Sequence, residues 1–463
     1  MPKATTMSTC FLTALVITGL GFAQPAPVPA AVPITIVFKS ETLPVNVALV
    51  IARAGGTMTA AVPQIGVAIA VGPAGILAAL NADPQILAAT PELVTAPPST
   101  KTVEVTPADI TTAADLYKAY QWDIKQVTND GASFGVTIGS HNTVVGIIDT
   151  GASRAHAALA ANLLGGRNFT PDGPGGVVLP DDFNDRNGHG SHVAGAIAGL
   201  GRILGVGPGL GFRAYRIFGA TGGAPTSRIL QAVVAATDDG VDVISMSLGG
   251  FDVISGGYWT DPVTGLVTRF KDIADFLAQR RAVQYAVKHG VVVVAAAGND
   301  GTDIGNPTVL TGLLNAEYGS QGYTFYGASR ETPGTLAGVL TVSATGLPRT
   351  LASYSNYGAG AIDVAAPGGD NLRYPVGDWY TDMCLSAYKG IGYSWMDGTS
   401  MATPKVSAVV ALLIDAAKAQ GRHLGPQYIV TRVQQSAVPL GSPGDTRYYG
   451  HGMVNAFSAL TSK

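Results

Sequence analysis

The stretch Asp397-Gly398-Thr399-Ser400-Met401-Ala402-Thr403-Pro404 runs directly into an apolar segment from Val406 to Ile414. A glycine that permits a tight turn, a serine at the apex and an apolar helix behind it place Ser400 at a helix N-terminus. There the unpaired backbone N–H groups and the positive end of the helix stabilise negative charge developing beside a hydroxyl oxygen. A serine in such a turn is ordinarily a helix cap, so a nucleophilic role depends on partners elsewhere in the chain.

Three other stretches offer those partners. From His141 onward, β-branched strands alternate with helical segments, which predicts an α/β fold with a parallel sheet covered by helices on both faces. Functional residues of such sheets gather at the carboxyl ends of the strands. Val144 to Ile148 ends in Asp149-Thr150-Gly151, and Val291 to Ala297 ends in Gly298-Asn299-Asp300. Between them, Asn187-Gly188-His189-Gly190-Ser191-His192 sets a glycine-flanked histidine at the start of a small-residue helix. Taken singly, Asp149 and Asn299 are turn residues. His189 and His192, at i and i+3, also have the spacing of a metal pair, but no further cluster offers the remaining ligands. Taken together with Ser400, they provide a nucleophile, a base, an orienting carboxylate and an amide donor.

The blocks VVGIIDTG, NGHGSHVAG, ISMSLGG, VVAAAGND and DGTSMATP resemble, in order, the signature blocks of the subtilases, the subtilisin-like serine proteases. The resemblance runs from about Trp122 to Gly452 and implies a secreted serine endopeptidase that hydrolyses protein or peptide substrates through an acyl-enzyme. It implies Asp149, His189 and Ser400 as catalytic residues, with Asn299 and the Ser400 backbone N–H as the oxyanion hole. Ser247, Leu248, Gly249 and Gly250 match the edge on which substrates lie as an added strand. A catalytically inactive subtilase-fold binding protein is the alternative. An α/β-hydrolase esterase does not fit: such enzymes set the nucleophile in a G-x-S-x-G elbow and follow the order Ser, Asp, His, whereas Ser400 lies in Gly398-Thr399-Ser400-Met401-Ala402 and the order here is Asp, His, Ser.

The first 23 residues have the three parts of a secretory signal peptide, which implies export, and an apolar run too short for a membrane anchor. Residues 24–32 read as a spacer. Residues 33–97 show a β-α-β-β-α-β order that predicts a small ferredoxin-like α+β domain. The same resemblance implies that this domain is a propeptide and intramolecular inhibitor. Residues 98–115 read as a linker with a processing site, autocleavage being expected between Thr95 and Tyr117, and 116–460 as the peptidase domain. A net charge of −3 gives no footprint for nucleic acid. A monomer is expected. Cys384, the one cysteine left after processing, reads as a buried small hydrophobe.

No metal ligands are assigned and the chemistry needs no cofactor. A structural calcium is possible but not located: the family's usual carboxylate position falls in Arg154-Ala155-His156, and Leu200 to Gly207 is short for its loop. Two further departures stand out. Lys405 occupies a position where the family usually has histidine, and Phe251 to about Phe276 reads as an insertion beside the substrate edge.

Overall fold

The computed structural model describes residues 31–98, 100–105, 115–219 and 222–462. The expected signal peptide, nearly all of the spacer and part of the expected processing stretch, including 106–114, lie outside the described residues.

The N-terminal domain runs β1 (Val32–Phe38), α1 (Val47–Arg53), β2 (Thr57–Val62), β3 (Val67–Gly72), α2 (Ile76–Ala82) and β4 (Ile86–Pro91). Its strands pair antiparallel in the order β2-β3-β1-β4, the ferredoxin-like arrangement. α1 begins only at Val47, although helical apolar spacing already runs from Leu43; the Val47 N–H bonds the Pro44 carbonyl in a turn. A residue before proline is steered away from helical geometry, which explains the late start. The last five residues of β1 are all buried, because one face of the sheet carries α1 and α2 and the other meets the large domain.

β5 (Val94–Thr95) and β6 (Thr102–Glu104) lead to α3 (Leu116–Tyr120) and α4 (Trp122–Thr128). The segment read as a linker is therefore partly ordered: β6 pairs with a strand of the large domain, as described below. The chain continues through β7 (Val144–Asp149), α5 (Ala157–Ala160), β8 (Leu163–Asn168), α6 (His189–Ala198), β9 (Gly211–Arg216), β10 (Ala224–Pro225), α7 (Thr226–Asp238) and β11 (Val243–Met246). Next come β12 (Gly250–Val253), β13 (Ser255–Thr260), β14 (Val267–Asp272), α8 (Ala274–Lys288), β15 (Val292–Ala296), α9 (Pro307–Tyr318), β16 (Tyr323–Phe325) and β17 (Ser329–Thr332). The last elements are β18 (Val339–Thr345), β19 (Val364–Pro367), β20 (Cys384–Ala387), β21 (Tyr393–Met396), α10 (Thr399–Ala419), α11 (Pro426–Gln435) and α12 (Ala456–Thr461).

Seven strands form one parallel sheet in the order β19-β18-β15-β11-β7-β9-β8. It separates two cores, and the alternation of side chains along each strand feeds both. Val292 and Val294 of β15 join the core of α6 and α10, while Val293 and Ala295 join that of α7, α8 and the N-terminal domain. This double burial is why the strands read as unbroken apolar runs. α10 is apolar for the same reason: 94% of its most apolar 18-residue window is buried inside the protein.

The insertion is a hairpin, β13 and β14, extended by β16 into a three-stranded sheet. Trp259 is buried in it beside Tyr323, so these aromatic residues serve as packing. Tyr323 then donates its hydroxyl to the Pro91 carbonyl of the N-terminal domain at 3.0 Å.

That domain also supplies the start of two large-domain helices. Glu92 Oε1 accepts the Ser227 N–H at 2.7 Å in the first turn of α7, and Thr90 Oγ1 accepts the Ala274 N–H at 3.2 Å at the start of α8. Asp275, in the first turn of α8, accepts the Leu93 N–H at 2.5 Å. Carboxylates at helix N-termini meet unpaired N–H groups and the positive dipole end. Burial nonetheless pushes the Glu92 carboxyl above its ordinary value against the lowering effect of Ser227 and Arg228, and burial with Glu92 nearby raises Asp275 further.

Acids whose pKa is raised by docking stabilise the docked state below their ordinary pKa, and that stabilisation is lost as pH rises through the docked values. Opening of the N-terminal domain should therefore become easier as pH rises above the ordinary carboxylate range, about 4, and through the raised values of Glu92 and Asp275. Hydrogen exchange of the β1 amides, corrected for intrinsic rates, should show this acceleration in a Ser400→Ala chain, and Glu92→Gln should reduce it.

Candidate active site

Asp149 ends β7 and His189 opens α6, so the parallel sheet delivers both to its carboxyl edge. His189 Nδ1 lies 2.8 and 2.9 Å from the two Asp149 oxygens, and both side chains are buried. The Thr150 N–H donates to Asp149 Oδ1 at 2.7 Å, which holds the carboxylate in place. Close approach depends on Gly190: a β-carbon there would stand 2.1 Å from the Gly151 carbonyl oxygen.

Asp185 builds the histidine turn, a part that sequence reading left unassigned. Its Oδ1 accepts from the Asn187 and Gly188 N–H groups and from the Thr150 hydroxyl, and its Oδ2 accepts from the Ser191 N–H and hydroxyl. The D-x-N-G-H spacing carried that signal, because a carboxylate two or three residues before a turn commonly closes it.

Ser400 is the second residue of α10, as its sequence setting predicts. Its hydroxyl donates to the Ser247 carbonyl at 3.2 Å, while His189 Nε2 has no hydrogen-bond partner among the described residues. Catalytic hydrogen bonds are often unformed before substrate binds and tighten in the complex. Pro404, four residues on, has no N–H to give to the Ser400 carbonyl, and that carbonyl accepts the Ser247 hydroxyl instead, at 2.9 Å. Serine, substrate edge and proline thus form one unit.

Asn299 follows β15, and its Oδ1 accepts the Thr399 N–H at 2.9 Å and the Thr399 hydroxyl at 2.8 Å. Those two bonds orient the amide, whose Nδ2 lies 3.5 Å from where a Gly398 β-carbon would stand, beside Ser400. Asn356 shapes the turn: its Nδ2 donates to the Ala297 carbonyl and to Asp300 Oδ2, and its Oδ1 accepts from the Asp300 and Thr302 N–H groups. Nothing local in the sequence points from Asn356 to a turn 56 residues earlier.

Ser247, Leu248 and Gly249 follow β11, and Gly250 opens β12; all four line a cleft of about 180 Å³ shared with Asn299 and Ser400. The opposite edge, β10, was not anticipated. It pairs antiparallel with β5, Ala224 facing Thr95, so the chain after the N-terminal domain enters the cleft as a strand. Thr95 to Pro98 line that cleft. Beyond it the Lys101 N–H donates to Asp397 Oδ1 at 3.2 Å, and β6 pairs with β21. The described residues on either side of position 99 therefore have ordered partners: Thr95 to Pro98 in the cleft, and Lys101 to Glu104 beyond it.

His192 is not brought together with a metal set. Its Nε2 faces the Cys384 and Ser394 carbonyls at 3.0 and 3.2 Å, and burial, with the Lys405 charge, pushes it down to about 3. His156 Nδ1 accepts the Ala158 N–H and its Nε2 bonds the Gly392 carbonyl, and burial lowers its pKa. Among the described residues no group of three or more His, Cys, Asp or Glu side chains is placed to hold a metal ion.

Lys405 finds its outlet inward. Its Nζ lies 2.8 Å from Asp123 Oδ2 of α4, donates to the Met401 carbonyl at 2.9 Å, and lies 3.5 Å from Cys384 Sγ, all in full burial. Burial alone would lower the Lys405 pKa, but the Asp123 carboxylate and the Cys384 thiol outweigh it and hold the ammonium protonated above the usual lysine value. Burial first, with Asp123 nearby, raises the Cys384 thiol well above its ordinary value, which makes it unreactive.

A family described as the Subtilase family matches residues 140–452. The nisin leader peptide-processing serine protease NisP of Lactococcus lactis subsp. lactis is 32% identical over 327 residues, 66% of this chain and 46% of that protein. The chain thus spans less than half of NisP's length. Subtilisin DY of Bacillus licheniformis is 32% identical over 322 residues, covering 69% of this chain and 90% of that protein. The crystal structure of the epidermin leader peptide processing serine protease EpiP from Staphylococcus aureus superposes with a TM-score of 0.78 at 27% identity, covering 94% of this chain and 98% of that one.

Proposed function

The chain belongs to the subtilase family and is a serine endopeptidase; from that premise we propose that Ser400 is its nucleophile, His189 its general base and Asp149 the carboxylate that orients His189. The observation that supports this most is the convergence of four residues, up to 251 positions apart in sequence (400 minus 149), on one sheet edge and one helix N-terminus. Ser400 rotates from the Ser247 carbonyl to His189 Nε2 when substrate displaces it, gives up its proton and attacks the scissile carbonyl. Asp149 holds the Nδ1–H tautomer and stabilises the imidazolium, which then protonates the leaving amine. The Asn299 amide and the Ser400 N–H stabilise the oxyanion.

Asn299→Ala should lower kcat by about 10²–10³-fold with KM little changed, the known scale of removing one oxyanion donor in subtilisin. Steady-state kinetics on one peptide substrate check it; a loss confined to KM would remove Asn299 from the hole.

The protein is exported, and its N-terminal domain acts as an inhibitory propeptide. Its β5 strand lies against β10 and the residues up to Pro98 line the substrate cleft, which supports self-cleavage within 95–101, between that strand and the Lys101 contact to Asp397. The mature N-terminus, read by mass spectrometry of secreted wild type, tests this, with Ser400→Ala expected to stay full length. Substrates are polypeptides. NisP and EpiP are named for processing leader peptides, so a leader-bearing precursor peptide belongs beside casein in the substrate set.

A further inference from the structure

The cleft that Ser400 lines also holds a buried carboxylate with no part in the proposed triad or oxyanion hole. Glu331, on β17, is 1% exposed, and its Oε1 has no hydrogen-bond partner among the described residues. Its Oε2 accepts the Thr335 N–H at 3.0 Å. The carboxyl group is wedged between two glycines: a β-carbon at Gly249 would stand 2.7 Å from Oε1, and one at Gly334 would stand 2.4 Å from Oε2. Gly249 belongs to the substrate edge, so Oε1 abuts the segment along which a substrate backbone would lie.

The surroundings are acidic. Asp252, Asp300 and Glu317 line the same cleft with Glu331, and among the described residues no lysine, arginine or histidine lines it. Asp252 is buried, its Oδ2 accepting from Gln279 Nε2 at 2.7 Å and the Thr332 hydroxyl at 3.0 Å. The neighbouring Arg330 faces outward and donates to the Thr335 carbonyl. A buried carboxylate oxygen without a donor is costly, and a cation is the partner that satisfies it best.

We propose that this cleft selects substrates with lysine or arginine immediately before the scissile bond, the cationic head pairing with Glu331. This rests on the assignment of Ser400 as nucleophile and names the substrate class of the same site. Burial and the nearby Asp300 and Asp252 charges raise the Glu331 pKa well above the carboxylate range in the absence of a cation, and an entering ammonium or guanidinium reverses that balance. The chain's own 95–101 segment is no guide to this preference, because tethering presents it at high effective concentration whatever its side chains.

The test uses processed wild-type enzyme and peptides identical except for arginine, lysine, norleucine or phenylalanine before the bond, with rates normalised by active-site titration. The wild type should favour arginine over norleucine by about 10-fold or more in kcat/KM. Glu331→Gln should lower that ratio about 10- to 100-fold, mainly through KM, and Glu331→Asp should keep part of it. A wild type that prefers norleucine or phenylalanine, or a titratable Glu331→Gln enzyme with an unchanged ratio, overturns the proposal. A wild-type digest of an unfolded protein gives an independent readout that needs no variant: cleavage sites enriched after lysine and arginine support it, and sites without that enrichment overturn it. Failure of every peptide together with a null titration would overturn the nucleophile assignment and this inference with it.

Discussion

Ser400→Ala is expected to lower kcat by about 10⁶-fold, the loss that follows removal of the serine nucleophile or its base in a subtilisin-type triad, leaving only the catalysis that the oxyanion donors and substrate binding supply. The effect is large because the three groups act as a unit. Asp149 and His189 are already paired through two contacts of 2.8 and 2.9 Å, and without the hydroxyl the base has no proton to take. His189→Ala should cost about the same, and the Ser400→Ala/His189→Ala double variant little more than either alone. The measurement is single-turnover hydrolysis of one chromogenic peptide by all three variants. Additive losses would mean that the two residues act in separate steps. Because the first substrate of the account is the chain's own 95–101 segment, both variants should also accumulate as uncut protein.

Lys405→Met is expected to destabilise the protein by about 3–5 kcal/mol, since removing one partner of a buried ion pair leaves the other charge uncompensated. Asp123 is 1% exposed and its Oδ1 already lacks a hydrogen-bond partner among the described residues, so no solvent is at hand to relieve it. Lys405→Met with Asp123→Leu should recover most of that loss, because replacing both charges removes the desolvation cost along with the attraction. Urea midpoints, measured in the Ser400→Ala background to prevent self-digestion, give the comparison. The pair ties α4 to the first turns of α10, five residues from the nucleophile. Equal stability of Lys405→Met and wild type would show that the pair contributes nothing.

Local features of the chain were legible wherever a side chain's role is set by its own segment. The strand ending in Asp149, the helix opening at His189 and the turn before Ser400 follow from hydrophobic runs bounded by glycine, and the β-α-β-β-α-β order gave the N-terminal sheet. What escaped depends on contacts between distant segments. Asn356 organises the Asn299 turn from a later loop, and Lys405 is intelligible only once α4 brings Asp123 to it. β10 is two residues long and has no periodicity of its own, so it becomes a strand only because β5 lies against it. The ordering of Thr102–Glu104 on β21 has the same origin. Glu331 sits in the one wall of the cleft where no motif marks the residue, and its isolation shows only when Gly249 and Gly334 are seen on either side.

The central claim is that one hydroxyl, activated by His189, does the chemistry. Processed wild-type enzyme treated with a fluorophosphonate and mapped by tandem mass spectrometry tests it most directly, since that reagent reacts with a serine only where a base and an oxyanion hole activate it. One adduct per chain is expected, on Ser400, formed in step with the loss of peptidase activity and absent from His189→Ala. Full peptidase activity without an adduct at Ser400, or inactivation by an adduct at another residue, would contradict it.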